Sequence, residues 1–272
     1  MVRLSAFADE ISEDLNEQIA VLKTNRVDHI ELRGAWGKNV MEMTTEEIRE
    51  IAQVAADNGI GFSSIGSPLG KFPLDGDFNL QIEAVRKALV FADILGCRYI
   101  RIFSYYIPEG DTHEQHRSQV IDWLGRLIAE TERTDKILCH ENERLIYGDL
   151  GKYCLDLHQT LDSPHFRGVF DFANYVHCGE DPLQNWPMLK PYIEYFHVKD
   201  SKRENLEMVP AGKGDGAIEP ILADAAGSGF DSFLTLEPHL SVAEKNWGRT
   251  SPDLFKTAAD ALRKVMAAAG MA

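Results

Sequence analysis

The sequence has no stretch near the roughly 18 uninterrupted apolar residues of a membrane-spanning helix, which excludes that kind of membrane partner. Its opening segment, MVRLSAFADE, carries no apolar signal core, so the expected location is the cytoplasm. Basic residues are few, 28 against 43 acidic ones, and they form no run. At a net charge of −15 a polyanion meets a repulsive field with no compensating stripe, and nucleic acid is not an expected partner. Cysteine is scarce too: Cys97, Cys139, Cys154 and Cys178 make no Cys-x-x-Cys pair and lack the density of a disulfide scaffold, so reduced thiols are expected. No GxGxxG follows the first apolar run and no GxxxxGK[ST] occurs, which removes the physical basis for dinucleotide and P-loop readings. Low-complexity tracts and linkers are absent.

What is present is a chain of 272 residues, 44% hydrophobic and 26% charged, enough to bury a sizeable core. Short strand-like runs alternate with amphipathic helical stretches from end to end. RLSAFA at 3–8 precedes a helix around 13–24, and HIELR at 29–33 precedes one at 45–57. After the Asn58-Gly59 stop comes GIGFSSIG at 59–66. A helix over 79–95 ends at Gly96 before YIRIFS, and a long helix over 113–133 leads to KILCHE. Helices near 149–161, 182–189 and 217–228 separate the last strands, and one near 252–268 closes the chain. Eight such units of about 34 residues predict an α/β fold, a (β/α)8 TIM barrel of parallel strands forming a single domain over 1–272. An open doubly wound sheet is the alternative.

Four metal-ligand side chains close the last four apolar runs: Glu141 in KILCHE, Asp171 in GVFD, His197 in YFH and Glu237 in FLTLE. Alternate strand residues share a face, which groups Glu141 with Cys139 and Ile137, Asp171 with Val169, His197 with Tyr195, and Glu237 with Thr235. If the runs are parallel, all four side chains emerge at one C-terminal edge, where barrel enzymes keep their chemistry. Three carboxylates and an imidazole suit one divalent ion per chain, Mn, Mg, Co or Zn, and disfavour thiolate-preferring ions. Cys139 offers a soft donor beside Glu141, but a small residue at that position reads as buried packing.

The runs CHENE, FDFAN, FHVKD and LTLEPH resemble those of the xylose isomerase-like sugar isomerase/epimerase superfamily, over nearly the whole chain. The resemblance implies a single (β/α)8 barrel holding one divalent ion through Glu141, Asp171, His197 and Glu237. In its ketose epimerase branch it further implies substrate contacts at Asn174, three positions after the Asp, and at Arg203, six after the His. Those relatives commonly carry His at the position of Asn174, and many have His at that of Glu143. VPAGKGDG at 209–216 resembles the superfamily's Gly-rich loop, read as a tight turn rather than a phosphate cradle. Endonuclease IV, from the same wider superfamily, needs further His ligands that FSSIGS, IRIFS and Asp215 do not supply.

These residues predict a metal-dependent carbohydrate isomerase or epimerase acting on a small sugar or polyol-derived ketone through an enediolate, with no organic cofactor. Glu141 and Glu237 are the expected proton carriers. A lyase or dehydratase of a keto-sugar or keto-inositol is the alternative. Pure binding or scaffold proteins need no paired proton carriers. Three carboxylates on a dication sum to −1, which favours a neutral hydroxy-ketone over a phosphate ester unless Arg203 takes part. Lys199 and Asp200 either touch the site or pair at its rim. Glu31 either orients a substrate hydroxyl or satisfies a buried neighbour. Phe7 and Trp36 read first as packing residues, as does Trp186. A homodimer accords with this fold.

Overall fold

The computed structural model describes residues 2–243 and 248–271. Eight parallel strands close into a barrel in sequential order: β1 (Arg3–Ala6), β2 (His29–Leu32), β3 (Gly61–Ile65), β4 (Tyr99–Ile102), β5 (Ile137–Glu141), β6 (Phe166–Asp171), β7 (Ile193–Val198) and β8 (Phe233–Leu236). β1 pairs with β8 from Arg3 opposite Phe233 to Ala6 opposite Leu236, which seals the ring. Outside lie α1 (Leu15–Thr24), α2 (Thr45–Asp57), α3 (Asn79–Leu95), α4 (His113–Ala129), α5 (Gly151–Leu161), α6 (Phe172–His177), α7 (Pro182–Leu189), α8 (Ile218–Gly227) and α9 (Pro252–Ala268). Among the described residues no helix is long and apolar enough to cross a membrane.

Local chemistry sets the boundaries. The Thr44 hydroxyl accepts the Glu47 amide while the Glu47 carboxylate accepts the Thr44 amide, a reciprocal cap that starts α2. Its Ile48, Ile51 and Ala55 fall at helical spacing and are buried, each isoleucine stabilising the fold by about 1.5–3 kcal/mol. At the end of α3, Gly96 adopts φ 65°, a left-handed turn that glycine takes without a side-chain clash. α4 ends at Ala129, short of the expected 133, where the Thr131 hydroxyl and amide both donate to the Ile128 carbonyl and divert the backbone. The first strand likewise stops at Ala6, and Ala8–Glu10 form a short helical turn. α6 has no counterpart in the sequence reading, being too short to show a period; Asp171 caps it.

The parity argument holds in three dimensions. Tyr99, Ile137, Cys139, Val169, Tyr195 and Phe233 form their own buried cluster, apart from the larger core between strands and helices. They lie inside the ring and toward the N-terminal ends of the strands, filling the barrel below the residues that share their faces. Cys139 is thus interior packing, and Trp186, against Phe170 and Phe196, anchors α7.

Candidate metal centre

Each of the four ligand-type side chains is placed by a strand end. Glu141 is the last residue of β5 and Asp171 the last of β6. His197 lies one residue inside the end of β7, and Glu237 follows β8 directly. All four are buried, and each offers one ligand atom within 4.8 Å of the other three. His197 Nδ1 stands 3.1 Å from Glu141 Oε1 and 3.5 Å from Glu237 Oε2. Among the described residues, His197 Nδ1 is buried without a hydrogen bond of good geometry, and Asp171 Oδ2 has the Lys199 ammonium 3.0 Å away as its ionic partner. The donor set fits a divalent ion, which Glu141, Asp171, His197 and Glu237 could hold.

Neighbours hold these groups in place. Glu31, fully buried on β2, accepts hydrogen bonds from Tyr195 and Thr235, and its Oε2 lies 3.1 Å from His197 Nε2. Of the two readings of Glu31, it is the buried neighbour that is satisfied. Asn142 clamps the backbone of Asp171, its Nδ2 donating to the carbonyl and its Oδ1 accepting the amide. Asn174 Nδ2 donates to Glu141 Oε1 at 3.3 Å and to the Asn142 carbonyl at 2.9 Å. Phe7 packs edge-on against His197 and beneath the guanidinium groups of Arg33 and Arg101.

Three buried cations meet the carboxylates. Arg101 donates to Glu141 Oε2 at 3.2 Å, and Arg33 to Glu237 Oε1 at 3.2 Å. Lys199 Nζ lies 3.0 Å from Asp171 Oδ2 and 3.4 Å from Glu237 Oε2. The charge count of −1 made from ligands alone leaves these out, so it gives no reason to prefer a neutral substrate. Arg101 breaks the apolar run of β4, and a charge inside a strand signals a buried pair; Arg33 follows β2 directly and gives no such signal.

Titration follows from this crowding. Burial alone pushes the His197 imidazole down, but the Glu141 and Glu31 carboxylates outweigh it and lift it to about 10. Burial raises Asp171 to about 7, only partly offset by Lys199. Glu141 would rise on burial, yet His197 and Arg101 bring it to about 2, and Lys199 and His239 hold Glu237 well below the usual range against the same burial.

Other expected residues lie farther out. Arg203 is exposed; its guanidinium donates to the Glu180 carbonyl and its amide to Asp215. Glu143 pairs with Lys71 at 3.1 Å. Asp200 points away from the four ligands, accepting the amides of Gly212, Gly214 and Gly216. The glycine loop's donors therefore already enclose an internal carboxylate, in line with a turn rather than a phosphate cradle.

Residues 19–268 match the family described as xylose isomerase-like TIM barrel. The chain is 23% identical over 176 residues to the 3-dehydroshikimate dehydratase of Bacillus anthracis, covering 65% of this chain and 62% of that protein, so it spans less than two thirds of that relative. It is 23% identical over 269 residues to L-ribulose-5-phosphate 3-epimerase UlaE of Shigella flexneri serotype 5b, covering 97% and 87%. Among solved structures, the probable 3-DHS dehydratase AsbF of Bacillus anthracis superposes with a TM-score of 0.78 at 19% identity, covering 97% of this chain and 99% of that one. The IolI protein with a bound zinc atom gives 0.76 at 14% identity, covering 98% of each. These superpositions are likenesses of fold.

Proposed function

Because this chain belongs to the xylose isomerase-like TIM-barrel family, whose members here include epimerases and a dehydratase, we propose that it is a divalent-metal-dependent carbohydrate isomerase or epimerase. The observation that carries this reading is the convergence of Glu141 and Glu237 on His197, at 3.1 and 3.5 Å from its Nδ1. A bound divalent ion would supply Lewis-acid polarisation of the substrate carbonyl.

The chain's own groups do the rest. Glu141 and Glu237 each have an oxygen toward His197 and a second toward an arginine, so each carboxylate is oriented before substrate arrives. One removes the proton next to the carbonyl and the other returns one to the planar enediolate; on opposite faces this inverts the carbon, and transfer to the adjacent carbon isomerises. Asn174 and Arg203 are the proposed sugar contacts, with Arg203 reaching the substrate from the rim.

Lys199 favours a second reading. Its ammonium touches Asp171 and Glu237, where it can give a proton to a departing hydroxyl, and the same enediolate then loses water as in a dehydratase.

Turnover of candidate ketoses in D2O tests both. An epimerase places deuterium on the carbon beside the carbonyl with inverted configuration, an isomerase gives the aldose, and a dehydratase gives an unsaturated product. Absence of both solvent exchange and product from every ketose and keto-inositol tried with the metal-loaded protein would overturn the enediolate.

A further inference from the structure

Glu10 and His239 lie outside the four-ligand group, yet they meet Glu237 in a second group of ligand-type side chains. Glu10 ends the short turn after β1 and is 1% exposed. Its Oε2 accepts the His239 amide at 3.0 Å and the Thr250 hydroxyl at 2.8 Å, while its Oε1 is buried without a hydrogen bond. His239 is less deeply buried, but its Nε2 is likewise without a hydrogen bond of good geometry among the described residues and stands 3.2 Å from Glu10 Oε1 and 3.3 Å from Glu237 Oε1. The ring is fixed there: His239 has a left-handed backbone at φ 49°, and a Cβ at Gly248 would run into the imidazole.

We propose that Glu10, Glu237 and His239 form a second divalent-cation site, joined to the first through the two oxygens of Glu237. It rests on the reading of Glu141, Asp171, His197 and Glu237 as the first site, because Glu237 Oε2 faces that one and Oε1 faces this. The argument is one of satisfaction. Arg33 already donates to Glu237 Oε1, so what a cation supplies is a shared partner for Glu10 Oε1 and His239 Nε2, which have no hydrogen bond of good geometry among the described residues, with Glu237 Oε1 beside them. Two carboxylate oxygens and an imidazole suit Mn, Co or Zn.

Both sites face buried cations, so ligand number sets the order of filling. Arg33 NH1 already lies 3.2 Å from Glu237 Oε1, and its NH2 lies 3.8 Å from Glu10 Oε1, so an ion entering the second site faces a guanidinium. Lys199 and Arg101 press on the first site in the same way, but the second offers three ligand-type side chains against four and shares one of them, so it is the weaker by about tenfold or more. When it fills, Glu237 is shared between two cations and becomes a poorer proton acceptor, so excess metal inhibits.

Equilibrium dialysis of the full chain against Mn2+ is the test, with His239→Ala and Glu10→Gln beside the parent. The parent should bind two ions in separable steps, and its electron paramagnetic resonance should change from an isolated to a spin-coupled signal as the second enters. Both variants should bind one ion with the first-step affinity kept. If His239→Ala fails to fold by circular dichroism, Glu10→Gln, which keeps the size of the side chain, decides. One ion in the parent overturns the second site and leaves the proposed function standing. No ion overturns both. Two ions in the parent and in the folded variants would overturn the assignment to these residues.

Discussion

Glu31 Oε2 lies 3.1 Å from Nε2 of His197, so the other ring nitrogen, Nδ1, is the one that faces Glu141 and Glu237. The pair crosses the barrel from β2 to β7, and it gives the imidazole its orientation and tautomer. Replacing Glu31 with Gln should weaken retention of a divalent ion by about 10–100-fold, since a neutral amide no longer holds the Nε2 proton as firmly. Competition with a fluorescent chelator measures it. Thr235→Val, which removes a different hydrogen bond to the same carboxylate, should weaken retention less. Equal affinity in Glu31→Gln and the parent would reduce Glu31 to interior packing.

Metal binding should release protons, and the pH dependence has a definite sign. Without an ion His197 is protonated below about 10 and Asp171 below about 7, and both must lose their protons to act as ligands. Between these values about one proton should leave per ion bound, and below them about two. Affinity should thus rise with pH, more steeply on the acid side of about 7. Calorimetry in buffers of different ionisation enthalpy counts the protons, and a count near zero at pH 8 would contradict a charged His197.

The barrel was legible because its cues are repeated: apolar runs, helix stops at Asn58-Gly59 and Gly96, and one parity shared by Glu141, Asp171, His197 and Glu237. Each cue is local, and backbone geometry carries it directly into three dimensions. The contacts that complete the site are not local. Arg33 reaches Glu237 across 204 positions, and Glu10 accepts the His239 amide across 229, so no spacing announces either. Asn142 and α6 were missed for a different reason, each depending on one turn after a strand rather than on a period. The role of Glu31 is set by Tyr195, Thr235 and His197, which converge on it from two other strands and leave no trace in its local sequence.

Asp200 provides a test of stability apart from chemistry. Its carboxylate accepts three backbone amides of the glycine loop, and Asp200→Ala leaves those donors to whatever water can enter. The expected cost is about 2–5 kcal/mol, allowing for partial rescue by water. Urea unfolding should show a lower midpoint, with Asp200→Asn in between because its amide oxygen replaces only part of the acceptor capacity. A midpoint unchanged in Asp200→Ala would mean that the loop is held by something else.

Arg203 and Asn174 should separate by kinetic signature. Arg203→Ala is expected to raise KM while leaving metal content unchanged, because the guanidinium is at the rim and cannot ligate a cation. Asn174 touches Glu141 directly, so Asn174→His should alter relative rates among sugars without unfolding the chain. Relative rates identical for every sugar would remove Asn174 from the contacts.

The decisive variant is Glu237→Gln. The substitution keeps the shape of the side chain and an oxygen able to ligate, and the Arg33 and Lys199 groups that pair with Glu237 remain in place. An amide cannot carry a proton at neutral pH, however, so solvent exchange through Glu237 should stop. Turnover is expected to fall by about 10²–10⁴-fold with the fold intact and metal still present at the first site. If Glu141 performs the first abstraction, Glu237→Gln should still wash out hydrogen from the substrate carbon into D2O while forming little product; if Glu237 performs it, washout and product should disappear together. Near-normal turnover in a metal-loaded Glu237→Gln protein would remove Glu237 from proton transfer altogether and leave Lys199, 3.4 Å from the same carboxylate, as the next group to test.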